Sequence, residues 1–114
     1  MLEIVFKALG EPTRLKILRL LFEQDLCVCD LEEVLQMNQP RISQHLKVLK
    51  QAGLVEERRE AQKRICSFNK RNFTALIEEF NTFMETPLDQ LAGFEQVNER
   101  LLNLDENTCE KKGR

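Results

Sequence analysis

The fold is decided by residues 39–55, which read QPRISQHLKVLKQAGLV. They predict a helix from about Gln39 to Ala52, because Pro40 suits the first turn of a helix and Gly53 follows its last residue. Apolar residues recur at helical spacing and predict an inward face made by Ile42, Leu46 and Leu49, with Val48 beside them. The other face is polar and basic, which makes it a candidate binding surface.

A shorter helix precedes this one across the turn Gln36-Met37-Asn38. Asp30 is a good N-cap for it, and Glu33 three residues later completes a pattern like a capping box. The apolar run Leu26-Cys27-Val28-Cys29 ahead of Asp30 predicts a short bridge strand. Two helices joined by a three-residue turn are typical of a helix-turn-helix.

A hairpin is predicted directly after the longer helix. Its strands are Leu54–Arg59 and Lys63–Phe68, and its tip, Glu60-Ala61-Gln62, lacks the usual glycine. Beyond it, a fifth helix from Arg71 carries an apolar stripe, and a sixth covers roughly residues 88–102. The stripe comprises Phe73, Leu76, Ile77, Phe80, Phe83 and Met84.

Two further helices are predicted before the bridge strand. The first has the apolar stripe Leu2, Val5, Phe6 and Leu9, and the second opens at Pro12 and is apolar on more than one side. A small domain has limited room to bury the stripes of both the first and the fifth helix, which predicts a homodimer.

Charge is distributed unevenly along the 114 residues, although the formal net charge is only −2. Residues 36–71 carry nine basic and three acidic side chains, whereas the segments on either side are net acidic. A local excess of positive charge on a helix and a hairpin indicates a nucleic-acid-binding face.

Several classes of protein are excluded by composition. No run of about 18 apolar residues and no signal peptide is visible, so we expect a cytoplasmic protein without a membrane partner. Without a glycine-rich phosphate loop, paired catalytic carboxylates or a Ser/His/Asp set, we expect no enzyme and no catalytic cofactor. In the cytoplasm the four cysteines should be reduced, which favours metal or redox roles over structural disulfides.

The pair Cys27 and Cys29 offers two thiols just ahead of the third helix. Thiolates select soft ions such as arsenite, antimonite, cadmium and lead(II). On a regular helix such a pair points about 200° apart, because each residue turns the helix by ~100°. Extended backbone instead puts both on one face. A shared ion therefore requires a non-helical start to the third helix, and a disulfide is awkward at this spacing.

The order helix, helix, helix, turn, helix, hairpin, helix resembles a winged helix-turn-helix, so the predicted fold class is mainly α with a small β-hairpin. Three stretches make the resemblance specific: ALGEPTRLKIL (residues 8–18), LCVCDL (26–31) and QPRISQHLKVLKQAGLV (39–55). They resemble the opening, the metal-binding box and the recognition helix with its wing in the ArsR/SmtB family of metal-responsive repressors. The resemblance covers residues 4 to about 85.

The resemblance implies a dimeric repressor that sits on operator DNA and leaves when a metal or metalloid binds. It implies Cys27 and Cys29 as ligands of As(III) or Sb(III), with Cd(II) or Pb(II) as alternatives. Glu32 stands where arsenic-responsive members often have a third cysteine, and residues 70–87 contain no histidine for a site between fifth helices. The candidate third ligand is Cys109, whereas Cys66 is expected to pack as a small apolar residue.

The predicted DNA-binding residues lie on the recognition helix and the wing. In a helix-turn-helix the second helix enters the major groove. Gln pairs with adenine and Arg with guanine, whereas Ser and Lys suit phosphates. The set comprises Gln39, Arg41, Ser43, Gln44, His45, Lys47 and Lys50 on the helix, and Arg58, Arg59, Lys63 and Arg64 on the wing.

Residues 1–102 are expected to form one DNA-binding and dimerisation domain, and residues 103–114 a flexible polar tail. Two other functions remain open. The first is a thiol redox sensor on the same fold, which would oxidise Cys27 and Cys29 and bind no ion. The second is a winged helix that contacts proteins and never touches DNA.

Overall fold

The computed structural model describes residues 2–105, which fold mainly as helices with one small antiparallel sheet. The helices are α1 (Leu2–Leu9), α2 (Pro12–Glu23), α3 (Val28–Leu35), α4 (Gln39–Gln51), α5 (Lys70–Glu85) and α6 (Glu95–Leu102). The strands are β1 (Leu26–Cys27), β2 (Val55–Glu60) and β3 (Lys63–Phe68), and a 3-10 turn covers Leu88–Gln90. This order confirms the predicted fold class.

The chain divides into two compact units, one ending at Glu79 and the other beginning at Phe80. The predicted domain boundary after residue 102 stays a prediction. Cys109 and most of the predicted tail lie outside the described residues. None of the helices within residues 2–105 is long and apolar enough to cross a bilayer.

The core of the first unit is built around α2 and the helix-turn-helix. Ile17 and Leu21 of α2 are buried, as predicted for a central helix. They join Leu31 of α3 and a row from α4 that matches the predicted inward face, namely Ile42, Leu46 and Leu49. Burying such a side chain stabilises the fold by about 1.5–3 kcal/mol, so α4 is held firmly against α2 and α3.

The turn between α3 and α4 also agrees with prediction. Gln36 ends α3 in the left-handed region with φ 54°, and the Asn38 side chain caps α4 by accepting a hydrogen bond from the Arg41 N–H at 3.0 Å. Pro40 lies in the first turn of α4. The recognition helix therefore leaves the core in a fixed direction.

The predicted bridge strand is present as β1, although it covers only Leu26–Cys27, and it joins the predicted hairpin in a three-stranded sheet. β1 pairs antiparallel with β3, so the strand order is β1-β3-β2, with Leu26 opposite Cys66 and Cys27 opposite Ile65. The predicted tip was one residue too long: Glu60 pairs with Lys63, which leaves Ala61 and Gln62 as the loop. Ala61 takes the left-handed conformation (φ 57°) that glycine usually supplies.

One more prediction needed correction. The predicted sixth helix is a 3-10 turn followed by α6, because Gly93 at φ 86° interrupts it. In the second unit the Phe83 ring packs 5.9 Å from that of Phe94. The stripe of α5 is only partly covered: Leu76 is buried, whereas Ile77 and Met84 are exposed.

Candidate metal centre and nucleic-acid interface

The thiol pair lies where β1 becomes α3. Cys27 has extended backbone (φ −78°, ψ 162°) and is the N-cap of α3. Its Sγ accepts a hydrogen bond from the Asp30 N–H at 3.3 Å, and Asp30 Oδ2 accepts one from the Cys27 N–H at 3.1 Å. The prediction of Asp30 as N-cap with Glu33 as its partner was therefore wrong: the N-cap is Cys27, three residues earlier, and Asp30 is the partner. Sulfur takes the place that a serine or threonine oxygen holds in a capping box.

The extended residue also brings the two thiols together. The Sγ atoms of Cys27 and Cys29 are in direct contact as a disulfide, and their Cα atoms are 5.3 Å apart. The predicted non-helical start of α3 is thus present. The expectation that this spacing disfavours a disulfide was wrong, because only Cys29 has helical backbone and Cys27 turns its side chain to the same side.

A carboxylate completes the cluster. Sγ of Cys27, Sγ of Cys29 and an oxygen of Asp30 all lie within 4.8 Å of one another. Cys27 is buried, whereas Cys29 and Asp30 are exposed. Sequence reasoning assigned Asp30 only to helix capping. Asp30 follows Cys27 by three residues, and side chains at that spacing in a helical turn are neighbours. This spacing was the signal that Asp30 could bind the same ion as the thiols.

The cluster opens onto a small cavity of about 190 Å³. The cavity joins three elements: the start of α3, the first residue of α4 and the tip of the hairpin. Its lining residues are Cys27, Val28, Cys29, Glu32, Gln39, Gln62, Lys63 and Arg64. A ligand on the thiols therefore lies beside residues predicted to contact DNA.

Cys66 occupies a different environment from the thiol pair. Its side chain is fully buried in the core, as predicted for a packing role. Burial raises the pKa of this thiol to about 11. The neutral thiol is a poor metal ligand and a poor nucleophile, so we expect Cys66 neither to bind an ion nor to react.

The outward face of α4 carries exposed polar side chains as predicted, with Gln39, Arg41, Gln44 and Lys47 among them. On the wing, Arg59 and Lys63 are exposed. These six residues, here called the open basic face, combine groups for base edges with groups for phosphates.

His45 does not lie on that face. Its Nδ1 accepts a hydrogen bond from Arg14 Nη1 at 3.3 Å and lies 3.5 Å from Glu11 Oε2, and its side chain is only 18% exposed. Arg14 in turn donates to the Ala8 carbonyl at 2.6 Å. His45 thus links α4 with the junction of α1 and α2, and its predicted DNA contact stays a prediction that competes with these contacts.

Three more predicted DNA contacts are held in a network around Glu57. Lys50 Nζ lies 2.9 Å from Glu57 Oε1, Arg64 Nε lies 2.7 Å from Oε2, and Arg64 Nη1 lies 3.4 Å from the Ser43 hydroxyl. Hydrogen bonds from Arg64 and then Lys50 lower the pKa of Glu57 to about 2. Lys50, Ser43 and Arg64 therefore tie the wing to α4, and their predicted phosphate contacts stay predictions that compete with these bonds.

Arg58 is also occupied within the protein. Its guanidinium binds Asp25 at 2.9 Å, Glu60 at 3.1 Å and the Ser67 hydroxyl at 2.7 Å. Asp25 stands two residues before Cys27, so Arg58 connects the wing to the segment that carries the thiols. Its predicted DNA contact stays a prediction that competes with these internal bonds.

Comparisons with known proteins find similarity to one group of regulators. The family model described as "Bacterial regulatory protein, arsR family" matches residues 11–57. An HTH-type transcriptional regulator from Methanocaldococcus jannaschii is 53% identical over 57 residues, which is 49% of this chain and 64% of that protein. An arsenical resistance operon repressor from Staphylococcus aureus is 36% identical over 80 residues, which is 70% of this chain and 77% of the relative.

Among solved structures, the chain resembles the homodimeric winged helix-turn-helix DNA-binding domain of a possible ArsR-family regulator from Mycobacterium bovis. The TM-score is 0.60 at 29% identity, covering 79% of this chain and 83% of that one. Four curated relatives that the chain matches are covered over only 47% to 64% of their own length.

Proposed function

Because this chain belongs to the ArsR family of bacterial regulatory proteins, we propose that it is a transcriptional repressor that binds operator DNA and releases it when a thiophilic ion binds Cys27 and Cys29. This is a DNA-binding and not a catalytic activity. The observation that carries the proposal is the shared cavity, which places both thiols beside Gln39 of the recognition helix and Lys63 of the wing.

The donor set supports a soft inducer. Two thiols suit As(III) and Sb(III), and the name of the Staphylococcus aureus relative refers to arsenical resistance. The carboxylate of Asp30 is a harder donor, which suits Cd(II) or Pb(II) better than arsenite. We therefore rank As(III) or Sb(III) first and Cd(II) or Pb(II) second.

Release of DNA follows from the position of Cys27. The residue belongs to both β1 and the cap of α3, and β1 pairs with the wing strand β3. An ion bound by both reduced thiolates must move their Sγ atoms apart from direct contact, and it competes with the hydrogen bonds between Cys27 and Asp30, so it strains this junction. The recognition helix and the wing both pack on it, so their spacing changes. A coupling of ~1–3 kcal/mol is the usual size for such a switch.

We further propose that the active form is a homodimer. Ile4 of α1 and Ile77 and Met84 of α5 are large apolar side chains left exposed. The similar Mycobacterium bovis domain is homodimeric. Two copies of the open basic face would then read two half-sites.

Titration of the reduced protein tests the inducer. Arsenite, antimonite, cadmium and lead are added in turn, and the charge-transfer absorbance of the thiolates is recorded together with operator binding. We expect one ion to bind per subunit, and operator binding to fall as the thiolate absorbance rises. The variant Cys66→Ala is the matched control, because it removes a buried thiol that the proposal does not use. Release without any bound ion would overturn the proposal.

The second candidate, a thiol redox sensor, is favoured by the contact between the Sγ atoms of Cys27 and Cys29. Oxidation would then alter DNA affinity with no ion bound. Stoichiometry separates the two functions, because a metal-responsive protein retains one ion per subunit after release and an oxidised protein retains none.

A further inference from the structure

We propose that a small-molecule thiol carrying carboxylate groups supplies the third sulfur to a trivalent ion at Cys27 and Cys29, with its carboxylate bound in the adjoining cavity. This inference rests on the proposed function. It adds a second component to the inducer, so that the protein responds to the ion together with an acidic thiol.

The first step of the argument is the shortage of sulfur at the site. Arsenite and antimonite favour about three thiolates, and the cluster within residues 2–105 offers two. The third group there is the Asp30 carboxylate, a hard donor that suits these ions poorly. Cys66 is fully buried in the core and takes no part in the cluster. A ligand from outside the described residues is therefore needed.

The second step is the room beside the exposed thiol. Cys29 and Asp30 face solvent, and the cavity beside the thiols measures about 190 Å³. Pockets for drug-sized ligands begin at roughly 300 Å³. The cavity is thus suited to one arm of a small molecule that reaches the ion from solvent.

The third step is the chemistry of the cavity wall. Lys63 is exposed and brings an ammonium group, and the amides of Gln39 and Gln62 bring further N–H donors. Arg64 contributes a second cation, although Glu57 and Ser43 engage three of its five N–H donors. Glu32 is the one acidic group in this lining and stands on the α3 side. The wing side of the cavity therefore favours a carboxylate arm.

The Cys27–Cys29 disulfide must first be reduced: two molecules of the small-molecule thiol give up two electrons and two protons, leave as their disulfide, and free both protein thiols. From the reduced pair onward, assembly of the complex needs no oxidant or reductant. Arsenous acid loses three hydroxides as its three As–O bonds break. Each of the three thiols gives its proton to one hydroxide, which leaves as water, and three As–S bonds form. Arsenic stays trivalent throughout, and all three sulfurs stay at the thiol level.

The consequence for DNA binding is direct competition. Gln39 and Lys63 belong to the open basic face, so a carboxylate arm that binds them withdraws two DNA contacts. The acidic thiol then adds to the effect of the ion on the junction of β1 and α3. A neutral thiol would complete the arsenic coordination without this competition.

The test uses the reduced full-length chain with Cys109→Ser, so that the tail thiol cannot act as third ligand. Arsenite affinity is measured by thiolate absorbance in reduced glutathione, which carries two carboxylates, and in 2-mercaptoethanol at equal thiolate concentration. Native mass spectrometry reads the bound species. We expect one arsenic and one glutathione per subunit, and arsenite binding at least about tenfold tighter in glutathione, equal to ~1.4 kcal/mol.

Two variants test whether Lys63 in the cavity wall binds the carboxylate. Lys63→Ala should remove the preference for glutathione, whereas Lys70→Ala, which changes an exposed lysine outside the cavity, should keep it. Equal affinity in the two thiols, or an adduct of arsenic without glutathione, would overturn the inference and leave the proposed function standing. Absence of arsenite binding in every thiol would overturn both.

Discussion

At the scale of single residues, Asp30 joins the fold to the proposed function. Its Oδ2 accepts the Cys27 N–H at 3.1 Å, and the same carboxylate lies within 4.8 Å of both thiol sulfurs. One side chain therefore stabilises the start of α3 and borders the ion site. An ion that engages the thiols alters the environment of the cap.

Replacing Asp30 should separate these two roles. Asp30→Ala removes a capping hydrogen bond and should lower the free energy of unfolding by about 1 kcal/mol. The same variant should weaken the binding of cadmium more than the binding of arsenite, because an oxygen donor suits cadmium and not arsenite. Urea unfolding and ion titration measure both effects. Glu33→Ala, an exposed acid in the same helix, is the control, and an equal loss of cadmium affinity there would rule out Asp30 as a ligand.

Glu57 gives a prediction for pH. Its pKa is lowered from 4.5 to about 2 by Arg64 and Lys50. Since the pKa is lower in the folded than in the unfolded chain, the stabilisation is complete above pH 4.5 and is lost as pH falls toward 2. Across this window the free energy of unfolding of the wild type should fall by roughly 2 kcal/mol more than that of Glu57→Gln. This figure is reduced for solvent screening, because Glu57 is partly exposed. Unfolding at several pH values measures this.

The neighbouring variant Glu56→Gln serves as control for Glu57→Gln, because Glu56 is exposed on the same strand. It should follow the wild-type pH profile. If Glu57→Gln followed that profile too, the network would contribute nothing measurable to stability.

At the scale of secondary-structure elements, α5 is fastened to the end of the recognition helix. Asn72 Nδ2 donates to the Gly53 carbonyl at 2.8 Å, and the Asn69 N–H donates to the Leu54 carbonyl at 2.8 Å. Gly53 has φ 78°, and a Cβ there would lie 3.1 Å from Asn72 Nδ2. These contacts fix the start of α5 relative to the end of α4.

Gly53→Ala should lower the free energy of unfolding by more than about 1 kcal/mol, because it adds a crowded Cβ to the strain of a left-handed alanine. In an Asn72→Ala background the crowding disappears and the penalty should shrink toward the backbone strain alone. A double-mutant cycle by urea unfolding reads the difference. An unchanged penalty in that background would show that Asn72 does not press on residue 53.

The elements themselves were largely predictable from the sequence, whereas several of their ends were not. Helical spacing gave α2, α4 and α5, because burial of one face dictates that pattern. The start of α3 was misplaced, since cysteine is seldom considered as a cap. The tip at Ala61 was misplaced because nothing local marks an alanine in the left-handed conformation.

The candidate site was predictable where chemistry follows from neighbours in sequence. The non-helical backbone that brings Cys27 and Cys29 together and the exposure of Arg41 and Gln44 fall in that class, whereas their roles in ion and DNA binding stay predictions. The contacts of His45, Lys50 and Arg64 do not fall in that class, because their partners Glu11 and Glu57 arrive through tertiary packing that spacing along one helix cannot show.

At the scale of the whole molecule, the open basic face should divide into sequence reading and charge attraction. Arg41→Ala and Gln44→Ala should each weaken operator binding by ~1–3 kcal/mol with little effect on unrelated DNA. Lys63→Ala should weaken both alike and reduce the salt dependence by about one charge. Binding isotherms at several salt concentrations measure this, with Lys70→Ala as the control for a general loss of positive charge.

Equal effects of all three variants on operator and unrelated DNA would mean that α4 does not read bases. The proposed orientation of the recognition helix would then be wrong, although the fold would stand.

The proposed switch joins all three scales, because it assigns control of DNA binding to two thiols at one junction. The most direct test is operator affinity of the reduced protein with and without arsenite, in the wild type and in Cys27→Ser/Cys29→Ser. We predict that arsenite weakens wild-type binding by about 5- to 150-fold. The double variant should bind the operator as the free wild type does and ignore arsenite. Release of DNA by arsenite from that double variant would contradict the account.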